Sequence, residues 1–444
     1  MAVENDKSHR PVFFAVSASY FCLFLYYSFF ARFQVLIYTA YGLDAKEIGT
    51  IGLLSIIASI PSSSFWGVVA DRTGRRKLVL ACCLFTAMAF QTLLCLAPYI
   101  ADHGLRFAYC CFIMVTYTAA RGNDYGQLRG IAMRALERFG RQNSYGNLRL
   151  WGAVSWGIAH PVLGWLLDLA HKNLTLLYVG NVLSGCLAVA CFSKLLRSEW
   201  TDEGASASAT QLPAVAGEAS EATDAARADE APQRASVWEV MRIVCGKPEM
   251  VAWLLCAATM ALGMQHVFQF LFLFMEQRFH STDVVMGLSV TVTVLFEVPI
   301  FAYSEWIVPK LGPTKLIAIA MIGFIVRVFG YTIVPSAGWI MVLEPLHGVT
   351  YSCFTLATVH YLNDHVPMHM ISTAQGFMSS VSAVGSAAGA LMGGWIMDRK
   401  DGGLLMFRID TVIMSFVLVF FAGSQWAAKK RREPLLNTGS PQPA

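Results

Sequence analysis

Long apolar runs separated by short polar segments dominate the chain. A helix of about 20 apolar residues is long enough to cross the hydrocarbon core of a bilayer. The runs that qualify lie near 12–39, 47–70, 78–99, 105–125, 148–168, 174–196, 250–275, 284–304, 315–334, 338–361, 370–396 and 403–426. The pattern therefore predicts an all-α membrane protein with twelve transmembrane helices.

The segment 198–236, between the sixth and seventh runs, has a different composition from its surroundings. It is rich in Ala, Ser, Thr, Glu and Asp and has no apolar periodicity, so it cannot bury enough surface to fold. We interpret it as a disordered cytosolic linker between an N-terminal six-helix bundle, 1–197, and a C-terminal six-helix bundle, 237–428. Residues 429–444 are predicted to form a cytosolic tail.

The overall composition excludes a soluble protein of this length. Of the 444 residues, 56% are hydrophobic and 14% are charged, whereas soluble domains are about 25% charged. The net charge of +4 gives no argument for nucleic-acid binding, and the eleven cysteines lie mostly in apolar runs, which indicates packing rather than disulfides. The sequence contains no H-E-x-x-H, Cys-x-x-Cys or Walker motif, so we predict no enzyme, no cofactor and no metal site.

The distribution of cations predicts the orientation, because cytoplasmic loops carry an excess of Lys and Arg. With the N-terminus inside, the inner segments hold the larger clusters: Arg72, Arg75, Arg76, Lys77, Arg129, Arg134, Arg138, Arg141, Lys194, Arg197, Arg242, Lys247 and the tail run Lys429-Lys430-Arg431-Arg432. The outer loops hold scattered cations, chiefly Lys46, Arg106, Lys172, Arg278 and Arg399-Lys400. We therefore predict that both termini are cytosolic, in a membrane that the sequence does not specify.

The two halves of the sequence repeat one another in two registers. A shift of 238 residues places Gly49, Pro61, Gly74 and Lys77 on Gly287, Pro299, Gly312 and Lys315. A shift of 230 residues places Gly146 on Gly376 and Gly164-Trp165-Leu166-Leu167-Asp168 on Gly394-Trp395-Ile396-Met397-Asp398. Two registers that agree on equivalent helices indicate a parallel repeat, which is typical of transporters that bind their solute between two bundles.

A short basic loop from Gly67 to Lys77 joins the second and third runs. Its aspartate can accept hydrogen bonds from the start of a neighbouring helix, while its cations fix the side of the bilayer; the alternative is a plain positive-inside loop. The pattern G-x-x-x-D-R-x-G-R-R-K resembles the loop signature of the major facilitator superfamily. The resemblance implies the major facilitator fold and a conformational hinge formed by Gly67, Asp71, Arg72, Gly74 and Arg75.

Ionisable residues inside the apolar runs are the candidates for function, since a charge in hydrocarbon costs roughly 2.5–3.5 kcal/mol on insertion scales. They are Arg32, Asp124 with Arg121 nearby, Arg149, His266, Glu297, Arg327, Glu344 and His347. Glu344 and His347 are three residues apart and so share a helix face. A carboxylate and an imidazole in a partly dry cavity suit proton coupling. The alternative is a set of static pairs that only hold helices together.

The fifth run resembles the lactose-permease-like and nucleoside-proton-symporter-like branch of the superfamily. Its segment Tyr145-Gly146-Asn147-Leu148-Arg149-Leu150-Trp151-Gly152-Ala153-Val154-Ser155-Trp156 looks like the segment of that branch whose arginine binds sugar hydroxyls and whose tryptophan stacks on the ring. The resemblance implies that Arg149 and Trp156 contact the substrate. It also places Asp124 where the branch has the acidic partner of the arginine.

In the C-terminal half, Glu297, Arg327 and His347 match the spacing of the coupling residues of that branch. One departure concerns the carboxylate that takes the proton, because the matching position holds Thr350, which does not titrate. Glu344, one turn to the other side of His347, is a possible substitute; otherwise transport is facilitative. His266 and Gln269 replace an acidic pair in the seventh span, so the substrate is not transferred from the relatives.

These observations predict a secondary active transporter of a small polar solute, with a sugar or nucleoside favoured by the resemblance and with protons and the lipid bilayer as further partners. The predicted substrate contacts are Asp124, Arg149, Trp156, Arg32 and His266. The predicted proton-coupling residues are Glu297, Arg327, Glu344 and His347. The alternatives are an organic-anion transporter, in which the arginines outnumber their nearby acids, a facilitative transporter, and a non-transporting receptor or scaffold on the same fold.

Overall fold

The computed structural model describes residues 2–122, 124–139, 145–196, 237–367 and 370–437. Throughout these ranges the regular secondary structure is helical. The predicted linker 198–236 lies outside the described residues, and so does the end of the predicted tail.

Within each described range the helices follow one another with short connections. In chain order they are α1 (Ala2–Ser28), α2 (Gln34–Ala40), α3 (Ala45–Thr73), α4 (Arg76–Leu93), α5 (His103–Arg121), α6 (Asp124–Arg138), α7 (Tyr145–Leu169), α8 (Thr175–Leu195), α9 (Val237–Cys245), α10 (Pro248–Phe279), α11 (Asp283–Ala302), α12 (Ser304–Ile333), α13 (Ala337–Leu343), α14 (Pro345–His365), α15 (Ile371–Met397) and α16 (Gly402–Asn437). A 3-10 helix, Leu94–Tyr99, extends α4, and α12 is kinked at Gly312.

Ten segments within the described ranges are long and apolar enough to cross a membrane. They coincide with ten of the predicted apolar runs, which identifies an integral, multi-pass, all-helical membrane protein. The fourth predicted run corresponds to α5 and the tenth to α13 and α14, which do not meet the same requirement for length and mean hydropathy. The count of twelve spans therefore stays a prediction.

Two of the predicted continuous runs are broken in the structure. In the first run α1 ends and α2 begins on either side of a turn at residues 29–33, which carries Arg32. In the tenth run α13 ends before Glu344 and α14 begins at Pro345. Proline has no amide hydrogen and is tolerated in the first turn of a helix, so it accounts for the second break. Both breaks place an ionisable side chain at the interior of the protein.

Two helix pairs, α3 with α15 and α7 with α11, join the N-terminal and C-terminal halves. A Cβ atom added to Gly164 would lie 2.1 Å from the carbonyl oxygen of Asp283, and one added to Gly394 would lie 2.5 Å from that of Ala45. These two contacts are related by the two shifts found in the sequence, 230 residues for the glycines and 238 for their partners. The repeat therefore reproduces the same glycine-to-backbone contact in both helix pairs.

The same helices separate towards their other ends. Gly67 in α3, Gly146 in α7 and Gly376 in α15 have no atom within 4 Å of the position of an added Cβ. Gly146 and Gly376 each lie 18 residues before the tightly packed glycines Gly164 and Gly394, which is five helical turns and about 27 Å along the same face. The space between the halves is therefore closed at one end and open at the end that carries the basic loop.

Candidate functional site

A central cavity of about 630 Å³ lies between the two halves. This volume is within the range of small-molecule sites, roughly 300–1,000 Å³. Its wall is mostly apolar and aromatic, with ionisable side chains from both halves: Arg32, Arg121, Arg149, Glu297 and His347. Five of the residues predicted as site residues, namely Arg32, Arg149, Trp156, Glu297 and His347, therefore line one cavity.

Arg149 and Trp156 form one side of the cavity, and both lie on α7. They are seven residues apart, so they project from the same helix face. Arg149 donates from Nε to the hydroxyl of Tyr125 at 3.1 Å, and its guanidinium lies 4.6 Å from the centre of the Phe24 ring. The Phe24 ring packs edge-on against Trp156, with centroids 6.1 Å apart. A fixed cation beside an indole is a suitable surface for a hydroxyl-bearing ring.

Glu297 lies on the part of the wall that the C-terminal half contributes, on α11, and interacts electrostatically with Arg149. Among the described residues no ion pair within 4.0 Å joins them, so neither charge is neutralised by direct contact with the other. Tyr351 also lines this wall and interacts with both charges. Tyr351 was not among the residues predicted from the sequence, although it follows His347 by one helical turn and so shares its face.

Behind His347 lies a fully buried ionic network. Arg327 donates to Glu344, with Nη2 3.1 Å from Oε2, and Thr293 donates to the same carboxylate at 2.7 Å. Tyr331 donates to the other carboxylate oxygen, and Arg327 also donates to Nδ1 of His347. Arg327 and Glu344 do not line the cavity, whereas two residues that bond them, His347 and Thr293, do. The network therefore reaches the cavity through Thr293, which bonds Glu344, and through His347, which bonds Arg327.

Asp124 and Arg121 form a separate pair at the start of α6 and the end of α5. Arg121 Nε lies 3.7 Å from Asp124 Oδ1, and Asp124 is almost fully buried outside the cavity wall. The neighbour of Asp124 in the chain, Tyr125, is the residue that bonds Arg149. The structure thus places Asp124 against Arg121 rather than beside Arg149.

His266 lies away from the cavity, buried between α10 and α16. Its Nδ1 is 2.9 Å from Oδ1 of Asp410. Asp410 was missed by the sequence analysis, although a carboxylate inside the last apolar run is the same signal that identified Glu297. The polar residues of α10 that do line the cavity are Gln265 and Gln269, four residues apart on one face.

The closed end of the cavity is held by contacts between the two halves. Asp168 at the end of α7 accepts the backbone N–H groups of Asp283 and Val284, each at 2.9 Å, and thereby caps α11. Lys172 bonds Glu276 at 2.6 Å, and this hydrogen bond raises the pKa of Lys172 above its ordinary value.

A second contact at this end follows the repeat. Asp398, the counterpart of Asp168, lies 2.6 Å from Nζ of Lys46. Lys46 is in the first turn of α3, at the position that the 238-residue shift relates to Val284. Carboxylates at the ends of α7 and α15 therefore bind the starts of α11 and α3 in the opposite half.

The predicted hinge lies at the open end of the cavity. Gly67 and Arg72 are in the last turns of α3, and Gly74 ends this helix with φ at +63°. Only glycine adopts such a left-handed conformation at low cost, so Gly74 permits the tight reversal before Arg75. The side chain of Asp71 lies outside what the structure describes.

Comparisons with known proteins give a consistent set of relatives. The profile described as the MFS_1 like family matches residues 14–409. Maltose permease of Geobacillus stearothermophilus is 22% identical over 429 residues, which cover 95% of this chain and 94% of the permease. The uncharacterized transporter YwbF of Bacillus subtilis (strain 168) is 22% identical over 361 residues, which cover 80% of this chain and 79% of that protein.

Solved structures of transporters share the fold. The crystal structure of a mutant of the nucleoside transporter NupG superposes with a TM-score of 0.74 at 14% identity, covering 93% of this chain and 99% of that chain. A bacterial homologue of the human lysosomal transporter Spinster, in an inward-facing and unoccupied conformation, gives a TM-score of 0.66 at 12% identity, covering 94% and 97%.

Proposed function

Because the chain belongs to the MFS_1-like family and is therefore a transporter of the major facilitator superfamily, we propose that it moves a sugar- or nucleoside-like solute by alternating access, coupled to protons. The observation that carries the proposal is the cavity between the halves, which is lined by Arg149, Trp156, Glu297 and His347 and closed at one end only. Relatives that include a maltose permease and a nucleoside transporter support this class of solute.

The proposed mechanism is a rocking of two six-helix bundles, with twelve spans in total, about the cavity. We place both termini in the cytosol, so that the cavity opens to the cytosol and the Lys172–Glu276 contact closes the outer side. The segment Gly67–Arg75, which comprises the last turns of α3 with Asp71 and Arg72 and the reversal at Gly74, is the proposed hinge because it joins α3 to α4 at the open end. The pairs α3 with α15 and α7 with α11 pack tightly at one end only, and we propose that the tilt of one helix relative to the other changes during the transport cycle.

Reconstitution of the full chain into liposomes tests the proposal. We expect labelled sugars or nucleosides to exchange across the membrane in the presence of protein, and a subset to accumulate when a pH gradient is imposed. Uptake equal to that of protein-free liposomes for every solute would favour the receptor or scaffold alternative.

Arg149→Ala is expected to weaken solute binding by more than about 1.5 kcal/mol, because a charge-assisted hydrogen bond contributes roughly 1.5–3 kcal/mol. The measurement is the dissociation constant of the best solute from the liposome screen. Arg149→Lys keeps the charge but loses the planar fork, so an intermediate loss is expected. A normal affinity for the alanine variant removes Arg149 from the site.

Glu344→Gln is expected to abolish accumulation driven by a pH gradient while leaving solute exchange intact. The amide is similar in size to the carboxylate but does not take a proton, and exchange requires no change of protonation. The comparison is the ratio of accumulation to counterflow in the same liposomes. Glu137→Gln makes the same chemical change on the exposed face of α6 and should leave this ratio unchanged. Normal accumulation by Glu344→Gln contradicts proton coupling through this residue.

A further inference from the structure

The first membrane segment is broken at the wall of the cavity. The turn at residues 29–33 separates α1 from α2, and its residue Arg32 lines the cavity. Irregular backbone at membrane depth is tolerated where it is buried in protein or lines a cavity. Breaks of this kind commonly carry the solute-binding groups of transporters. The break is therefore a place where ligand recognition is expected.

Only one nitrogen of the Arg32 guanidinium donates hydrogen bonds within the described part of the protein. Its Nη1 donates to the carbonyl oxygens of Val267 at 3.1 Å and Phe268 at 3.0 Å. The rings of Phe268 and Phe272 lie on it, with centroids 5.2 Å and 5.1 Å from Cζ. Neither Nε nor Nη2 donates a hydrogen bond to any residue that the structure describes, and neither is sealed from the cavity. These two groups form one edge of the guanidinium, with two parallel N–H bonds.

Arg32, like Arg149 and unlike two other arginines near the cavity, has no carboxylate in contact among the residues that the structure describes. Arg121 has Asp124 at 3.7 Å, and Arg327 has Glu344 at 3.1 Å. Within the described part of the chain, no carboxylate lies within 4.0 Å of Arg32, a residue that is 8% exposed, and the carboxylate that interacts with it at longer range, Glu344, is already paired with Arg327. A buried cation without a counter-charge in contact is costly, and carbonyl groups and aromatic rings offset only part of that cost. An anion bound at the free edge of the guanidinium would neutralise the positive charge of Arg32.

We propose that Arg32 binds an acidic group, a carboxylate or a phosphate, of the transported solute through Nε and Nη2. A planar guanidinium edge matches two oxygen atoms of such a group. His347 offers a second donor on the cavity wall, because its Nδ1 accepts from Arg327 and its hydrogen is therefore on Nε2. The inference rests on the proposed transport function and narrows its substrate class to polar solutes that carry an acidic group.

The test compares neutral and acidic probes on the purified full chain. Dissociation constants are measured by thermal stabilisation with glucose, glucuronate, glucose phosphate, adenosine, adenosine monophosphate and inorganic phosphate. In the wild type, the acidic member of a pair is expected to bind at least about tenfold more tightly than the neutral one, as a charge-assisted hydrogen bond provides. Arg32→Gln should abolish this difference. Arg32→Lys, which keeps the charge, should retain part of it and serves if the glutamine variant does not fold.

Arg106→Gln is the matched control. Arg106 also donates to backbone carbonyls, those of Tyr41 at 2.7 Å and Ile100 at 3.0 Å, but it lies outside the cavity wall. Its substitution removes the same charge and the same kind of bond, so the preference for acidic probes should persist. A preference lost equally in both variants would overturn the inference, because it would reflect net charge rather than a site.

The remaining outcomes separate this inference from the proposed transport function. Equal affinity for neutral and acidic probes in the wild type overturns the acidic-group inference, and uptake of neutral solutes by liposomes then leaves transport standing. Acid-selective binding that requires Arg32, without uptake of any solute, supports the site and contradicts transport. If inorganic phosphate competes for the Arg32 site as strongly as glucose phosphate does, Arg32 binds a separate anion. This result would overturn the inference that the acidic group belongs to the solute.

Discussion

Gly164→Val is expected to prevent closure of the end of the cavity where α7 meets α11. A Cβ at this position would lie 2.1 Å from the carbonyl oxygen of Asp283, which is backbone and has little freedom to move away. Overpacking of this kind costs about 1–3 kcal/mol and more where backbone must shift. A difference of that size moves a two-state equilibrium by about 5–150-fold. The population with this end closed should therefore become minor, and transport should fail.

Hydrogen exchange at the start of α11 measures this effect. The amides of Asp283 and Val284 bond Asp168 across the two halves, so separation of the halves should accelerate their exchange. Gly146→Val is the matched control, because Gly146 lies on the same face of α7 with no atom within 4 Å of an added Cβ. We expect slow exchange in the control and fast exchange in Gly164→Val. Equal protection in the two variants would contradict a closure that depends on this contact.

The sequence predicts best those features of the structure that a bilayer requires, namely the length and the apolar character of each membrane segment. A membrane requires length and apolar character from each segment by itself, and these are local properties that a single sequence displays. The break at residues 29–33 instead accompanies a tertiary contact, in which Arg32 donates to backbone carbonyl groups of α10. No local signal such as proline or glycine marks it, so the apolar pattern predicts one continuous span there.

The candidate site shows the same division between local and tertiary information. The resemblance of the fifth run implies that Arg149 and Trp156 contact the solute, and both line the cavity. Spacing does not specify which neighbouring helix faces them. The partner of Arg149 is thus Tyr125 rather than Asp124, and the partner of His266 is Asp410, more than 140 positions away. Charges of opposite sign are visible in the sequence, whereas their pairing follows from helix rotation and tilt.

Glu344→Ala is expected to destabilise the protein by about 3–5 kcal/mol, the cost of leaving one member of a buried ion pair without its partner. Arg327 is fully buried, and Glu344 is the carboxylate that receives its guanidinium. Thr293 and Tyr331 would also lose their acceptor. The measurement is thermal unfolding of the purified chain at fixed detergent and lipid concentration, with the solute absent so that binding does not contribute.

The double variant Arg327→Met, Glu344→Leu distinguishes an unpaired charge from a packing defect. Replacement of a buried ion pair by apolar side chains of similar volume is commonly neutral or stabilising, so the double variant should recover most of the loss seen in Glu344→Ala. Arg327→Met alone should be as unstable as Glu344→Ala, because it leaves the buried Glu344 carboxylate without its ion-pair partner. If the double variant were no more stable than either single one, the buried charges would not be the cause. Recovery of stability without recovery of gradient-driven accumulation would assign the Arg327–Glu344 pair to coupling rather than to folding.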